Sequence, residues 1–141
     1  MVSYGSRTVL FLTKKGVSMT KEEVLKKYFG YDSFRAGQET LVNGILSGRD
    51  TLGIMPTGAG KSLCYQIPAL LMSGITLVVS PLISLMKDQV TALNQAGIHA
   101  AYLNSSLTPG QYQTALRNLI QGRYKIVYVA PERLLTDSFL W

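Results

Sequence analysis

Gly58, Gly60, Lys61 and Ser62 close the segment Met55-Pro56-Thr57-Gly58-Ala59-Gly60-Lys61-Ser62, and together their types fit one chemistry, the holding of a polyphosphate. Glycines at 58 and 60 let backbone N–H groups turn inward on an anion. Lys61 supplies a point charge for the outer phosphates, and Ser62 offers a hydroxyl to Mg²⁺. Thr57 and Ala59 complete the wrap. The strict pattern G-x-x-x-x-G-K-[ST] requires glycine at position 55, where this chain has Met55. The context still fits, because the apolar run from Thr51 to Ile54 precedes the loop and a helix-compatible segment follows it.

A second constellation is Tyr31, Arg35 and Gln38, the last of them 23 residues before Lys61. These three fall four and three apart, so they share a helix face if the helix extends back that far, and otherwise line its entrance. A side-chain amide pairs with a donor and an acceptor on the adenine edge, an aromatic ring stacks on the base, and a guanidinium reaches phosphate. Taken by itself, Gln38 reads as a solvated surface residue. Its position 23 residues before Lys61 weighs against that reading.

The elements that must position these residues are legible as alternating patterns. Four short apolar runs, Thr51 to Met55, Ile75 to Ser80, His99 to Leu103 and Lys125 to Ala130, lack clean alternation, as strands buried on both faces of a parallel sheet do. Between them lie the helical patterns Leu63, Ile67, Leu70, Leu71, with Pro68 expected to bend or break it, then Leu82, Leu85, Met86, Val90, Leu93, then Tyr112, Ala115, Leu116, Leu119, Ile120. This is the βαβ signature of an α/β fold. Upstream, Thr20 and Glu23 have capping-box spacing for a short amphipathic helix ended by Gly30, and Leu41, Val42, Ile45 and Leu46 mark another closed by Gly48. Residues 1–18 show no sustained period and read as an extension or cloning remnant. Residues 19–50 form a helical segment, and 51–141 a partial nucleotide-binding domain.

Each strand ends in a small polar or proline-containing turn, and in a parallel sheet these turns gather at the carboxyl edge, where open α/β folds bind ligands. Ser80-Pro81 and Thr108-Pro109 are also ordinary N-cap and N1 pairs. Helix starts hold phosphates through backbone N–H groups, so capping and nucleic-acid contact coexist at such places. Asn104 and Ser105 lie in the third turn, and Lys87 and Arg133 can neutralise phosphates from this edge.

The 141 residues fit one domain, and 47% hydrophobic content suffices for a core. The formal charge of +6 is concentrated early: residues 1–35 hold seven Lys and Arg against three Asp and Glu, which leaves +2 for the remainder. Overall basicity is therefore weak support for a nucleic-acid groove. The single cysteine, Cys64, excludes an internal disulfide and fits a small core hydrophobe in a reducing compartment. No apolar stretch approaches the ~20 residues of a membrane span.

Five blocks, taken in order, resemble the RecQ-type ATP-dependent DNA helicases of superfamily 2, in their bacterial form. These are Phe29-Gly30-Tyr31 with Phe34-Arg35 and Gly37-Gln38; Met55 to Ser62 continuing into Leu63-Cys64-Tyr65-Gln66-Ile67-Pro68-Ala69; Val78 to Val90; Leu103-Asn104-Ser105; and Ala130-Pro131-Glu132-Arg133-Leu134. The Pro-Thr-Gly-x-Gly-Lys-Ser form is one that superfamily commonly uses. The resemblance implies a RecA-like, three-layer P-loop NTPase fold with a mostly parallel sheet, incomplete in this chain, and ATP with Mg²⁺ as cofactors. Tyr31, Arg35 and Gln38 would recognise adenine; Thr57 to Ser62 would hold the phosphates, with Lys61 catalytic and Ser62 on the metal. Ser80, Pro81, Lys87, Asn104, Ser105 and Arg133 would face DNA, single-stranded or partly duplex. It further implies 3′–5′ unwinding in repair and recombination, at the nucleoid in the cytoplasm, and leaves the oligomeric state open. The family's Asp-Glu-x-His box follows none of the apolar runs, so the expectation is the front part of one motor lobe, inactive alone. Two other classes fit less well: a nucleotide- and DNA-binding module without catalysis, and a small P-loop kinase, for which no arginine-rich lid is visible.

Overall fold

A computed structural model describes residues 2–4, 7–11, 19–56, 58 and 60–135. The chain runs β1 (Val2–Tyr4), β2 (Arg7–Phe11), α1 (Lys21–Phe29), α2 (Gln38–Leu46), β3 (Thr51–Leu52), α3 (Leu63–Leu71), β4 (Thr76–Val79), α4 (Ile83–Gln95), β5 (Ala100–Leu103), α5 (Pro109–Ile120), β6 (Ile126–Val129) and a 3₁₀ turn at Pro131–Leu135. The strands form one sheet in the order β3-β1-β2-β4-β6-β5. β2 is antiparallel to both its neighbours, and every other pairing is parallel. β3, β4, β5 and β6 therefore point the same way, and the segments leaving them meet at one edge.

The capping box predicted for α1 is present in both directions. The Glu23 N–H donates to Thr20 Oγ1 at 3.2 Å, and the Thr20 N–H donates to Glu23 Oε2 at 2.7 Å. Gly30 closes the helix at φ +76, a left-handed conformation that glycine adopts without Cβ cost. α1 and α2 bury Val24, Leu25 and Val42 against Ile67 and Leu71 of α3. At ~1.5–3 kcal/mol for each fully buried aliphatic side chain, this contact holds the segment before β3 onto the domain.

Of the two expectations for Pro68, a bend or a break, the break is absent: α3 runs through it from Leu63 to Leu71, with the Met72 N–H donating to the Pro68 carbonyl at 2.9 Å. Burial of Cys64 to Ala69 outweighs the one hydrogen bond that proline forgoes. Cys64 is fully buried, as a core hydrophobe should be. Side chains alternate across the sheet. Val78, Ala100, Ile126 and Tyr128 pack against α2, α3 and α4, while Leu103, Val127 and Val129 pack against Tyr112 of α5 on the other face. The result is a helix–sheet–helix sandwich.

The sequence misjudged three features. Residues 1–18 showed no period, yet two stretches of them pair as strands between β3 and β4. Short strands take their partners from neighbouring backbones, which periodicity cannot reveal; residues 12–18 lie outside the described residues. The first apolar run shrinks to the two residues of β3, with Leu52 70% and Ile54 85% exposed. Finally, Ser80-Pro81 does not start α4: Leu82 is the N-cap, and Ser80 Oγ accepts the Leu82 N–H at 3.2 Å in a turn ahead of the helix. Thr108-Pro109 behaves as predicted, with a capping box closed by Gln111.

Candidate nucleotide-binding site

The loop after β3 delivers Gly58 at φ +83 and Gly60 at φ +73, both left-handed. It then enters α3 through Ser62, the N-cap, which already has helical angles. The positive end of the α3 dipole thus faces the bend of the loop. Lys61 and Ser62 are half-buried beside it. Thr57 and Ala59 lie outside the described residues.

Gln38 is 1% exposed, so it is not the solvated side chain its type suggests. Its Oε1 accepts the Arg35 N–H at 2.7 Å, and its Nε2 donates to the Gly60 carbonyl at 3.0 Å. Arg35 Nη1 donates to the Gly58 carbonyl at 2.9 Å. Two side chains from the entrance of α2 therefore hold two carbonyls of the glycine loop. Gly60 is constrained twice, because any Cβ there would also collide with Gln38 Nε2. α2 begins only at Gln38, so Tyr31, Arg35 and Gln38 line its entrance rather than share a helical face.

A cavity of about 700 Å³ opens at this junction, within the range of small-molecule sites. Tyr31, Arg35, Gln38, Gly58, Gly60 and Ser62 form its wall on the loop side. Tyr31 is 49% exposed and leaves its ring accessible. Part of the remaining lining was not foreseen. It comes from Tyr28 and Phe29 of α1 and from Gln89, Ala92, Leu93 and Ala96 of α4. Positions 92, 93 and 96 lie three, four and seven residues beyond 89 along α4, so the four share one helical face; of them, the helical pattern in the sequence includes only Leu93.

Beneath the cavity lies a buried polar cluster. Tyr128 Oη is 2.8 Å from Tyr65 Oη, accepts from Gln66 Nε2 at 3.3 Å and donates to Gln89 Oε1 at 3.4 Å. Gln66 Nε2 also donates to Gln89 Oε1 at 3.2 Å. The cluster ties α3, which begins at the glycine loop, to α4 and to the sheet. Such bonds are strong in a low-dielectric interior and costly to leave half-made.

Of the remaining predicted residues, Ser80, Pro81, Asn104, Ser105 and Arg133 lie in the segments that leave β4, β5 and β6, Lys87 lies within α4, and they differ in exposure. Pro81, Lys87 and Ser105 are exposed, and Arg133 is half-buried with its guanidinium carbon 4.8 Å from the centre of the Tyr112 ring. Ser80 and Asn104 are 3% and 1% exposed. Asn104 Oδ1 accepts the Ser106 N–H at 2.9 Å and the Ser106 hydroxyl at 2.5 Å, so this side chain shapes its turn. Ser80 does the same for Leu82. Both side chains are thus buried and engaged in their own turns, which leaves the backbone of these turns as the part open to a ligand. Among the described residues no group of three His, Cys, Asp or Glu is placed to hold a metal, and no helix is long and apolar enough to cross a membrane.

A glycine loop ending in Lys-Ser, seated on a helix N-terminus at the carboxyl edge of a mostly parallel sheet, is the nucleotide-binding lobe of a phosphate-loop NTPase. The chain belongs to the DEAD/DEAH box helicase family, whose profile matches residues 35–140. It is 58% identical to the ATP-dependent DNA helicase RecQ of Haemophilus influenzae over 85% of this chain and 19% of that protein. The RecQ helicases of Pasteurella multocida and Bacillus subtilis are 54% and 51% identical over 87% and 84% of the chain. Each of these is covered over 20% of its own length, so the chain spans about a fifth of the relatives it matches.

Proposed function

We propose that this chain carries the ATP-binding half-site of an ATP-dependent DNA helicase, together with part of its track for single-stranded DNA. The observation that carries the proposal is the hydrogen-bonded union of the glycine loop with Arg35 and Gln38 at the mouth of a cavity with an accessible tyrosine. In this reading the Tyr31 ring stacks on adenine, and the Gln38 amide pairs with the base edge. An amide oxygen accepts two hydrogen bonds and its nitrogen donates two, so contacts to Arg35 and Gly60 are compatible with that role. Lys61 neutralises the outer phosphates. Mg²⁺ would shield the phosphate oxygens, held by the Ser62 hydroxyl and by the phosphates themselves, a pattern usual for an ion that keeps most of its waters. The exposed Pro81, Lys87 and Ser105, with Arg133, face the DNA backbone, while Ser80 and Asn104 set the turns that present them. The parent protein is proposed to unwind DNA 3′–5′ in repair and recombination.

Phosphoryl transfer to water also needs a carboxylate near the metal, a residue orienting the water, and a cation for the transition state. Among the described residues that line the cavity, none is Asp or Glu. The 141-residue chain is therefore expected to bind ATP without turning it over. Calorimetric titration with ATP is the test. A charge-assisted bond to phosphate contributes ~1.5–3 kcal/mol, so Lys61→Ala should weaken binding at least tenfold, as ~1.4 kcal/mol is one decade. Superimposable isotherms for the two proteins would overturn the assignment. Steady ATP hydrolysis by the wild-type chain, lost in Lys61→Ala, would show that a catalytic carboxylate has been overlooked.

A further inference from the structure

α5 starts on the Thr108–Gln111 capping box, which fixes its first turn and with it the direction of Tyr112. Tyr112 is 8% exposed and packs with Leu103 of β5 and Val127 and Val129 of β6. Its hydroxyl is buried with no hydrogen-bond partner among the described residues. A buried hydroxyl of that kind costs free energy relative to phenylalanine, so hydrogen bonding does not explain the residue. The ring face does. The Arg133 guanidinium carbon lies 4.8 Å from its centre, well inside the distance at which a cation is drawn to an aromatic face.

Arg133 sits in the 3₁₀ turn that follows β6, and this turn is fastened to its surroundings. The Arg133 N–H donates to the Ala130 carbonyl at 3.0 Å, and the Ala130 N–H donates to the Leu103 carbonyl at 3.2 Å. Backbone and side chain are thus both held at the edge where Ser105 and Pro81 are exposed. An arginine in solution gives up much rotamer freedom when it binds a phosphate, whereas a stacked one has given it up beforehand. We propose that Tyr112 is the positioning residue that holds the Arg133 guanidinium over its ring at the sheet edge, presenting it to a phosphate of single-stranded nucleic acid. This rests on the reading of that edge as the DNA track.

The experiment is fluorescence anisotropy of a labelled oligothymidylate with the 141-residue chain across a salt series, with a melting curve for every variant. Arg133→Ala should lower affinity and reduce the log–log salt slope by ~0.7, the value for one phosphate on a single strand. Tyr112→Leu should lower affinity two- to fivefold, the equivalent of the ~0.5–1 kcal/mol of an exposed cation–π contact. Tyr112→Phe, which keeps the ring, should bind as wild type, and Tyr112→Leu should cost nothing further in the Arg133→Ala background. An Arg133→Ala chain that binds as wild type with an unchanged slope overturns the DNA reading of this edge. If Arg133→Ala weakens binding but Tyr112→Leu does not, or if Tyr112→Leu costs the same with and without Arg133, the positioning role is overturned and the DNA reading stands. Should Tyr112→Leu fail to fold, Arg133→Lys keeps the charge without the planar stack. It should show the same two- to fivefold loss, and wild-type affinity there overturns the proposal.

Discussion

Replacing Gly60 by alanine should be far more damaging than the same change at Gly58, although the two glycines stand in one loop at nearly the same backbone angle. Their φ values are +73 and +83, so alanine at either place suffers left-handed strain of ~1–2 kcal/mol. At Gly58 nothing lies within 4 Å of the added Cβ, and that strain is the whole effect. At Gly60 the Cβ collides with Gln38 Nε2 and must drive the amide out of its place. The displaced Gln38 is 1% exposed and loses its bond to the Gly60 carbonyl, so an unsatisfied buried group adds a further ~1–3 kcal/mol. The expected costs are ~1–2 kcal/mol for Gly58→Ala and ~2–5 kcal/mol for Gly60→Ala, read from urea denaturation with a common slope. Gln38→Ala supplies the control. With the amide gone the collision disappears, and the added cost of Gly60→Ala should fall to that of Gly58→Ala. Equal costs in the wild-type background, or a Gly60→Ala cost that Gln38→Ala leaves untouched, would refute the steric account.

Gln38→Ala should flatten the ATP-to-GTP affinity ratio, because guanine reverses the donor and acceptor edge and a mismatched amide costs ~1–3 kcal/mol. It should also weaken inorganic tripolyphosphate, which has no base. Tripolyphosphate binding unchanged by the substitution would restrict Gln38 to the base. Lys125 gives a pH dependence: its Nζ donates to the carbonyls of Met72 and Gly74, and burial lowers its pKa below the ordinary 10.5. Between that lowered value and 10.5 the unfolded chain binds more protons than the folded one, so the stability contribution rises with pH across this window. Below it, the cost of burying the charge is fully present. Denaturation midpoints of wild type and Lys125→Met, compared from neutral pH to 10.5, should show the rise only in wild type; parallel profiles would refute it.

What the sequence revealed follows from which signals are local. The α1 capping box, the Gly30 stop and the loop glycines each answer to a few adjacent residues, and each appears in the fold as read. The later strands were nearly as clear: β4, β5 and β6 lie within the expected runs, and all four residues of β6 are buried. Failures came where long-range contact overrides local preference. Gln38 is buried because Gly60, 22 positions away, supplies its partner. The cluster of Tyr65, Gln66, Gln89 and Tyr128 joins positions up to 63 apart, and no spacing rule connects them. One clue was present. A tyrosine inside an apolar strand, such as Tyr128, must find a hydrogen-bond partner once buried.

The same long-range bonds bear on how the site operates. Adenine recognition and phosphate binding were separate motifs in the sequence, lying 23 residues apart. In the fold, Arg35 and Gln38 grip the carbonyls of Gly58 and Gly60, so the segment proposed to meet the base also sets the curvature of the loop proposed to meet the phosphates. A ligand that moves either side chain must alter the other half of the site. Gln66, through Gln89, extends that unit to α4, the helix that carries the exposed Lys87. Any shift of α3 against α4 must break or rebuild bonds to Tyr128, and buried bonds of this kind favour discrete arrangements over gradual deformation. The segment proposed for the base, the loop proposed for the phosphates and the helix that carries Lys87 are therefore joined through α3, so a displacement of the loop has a hydrogen-bonded route to α4.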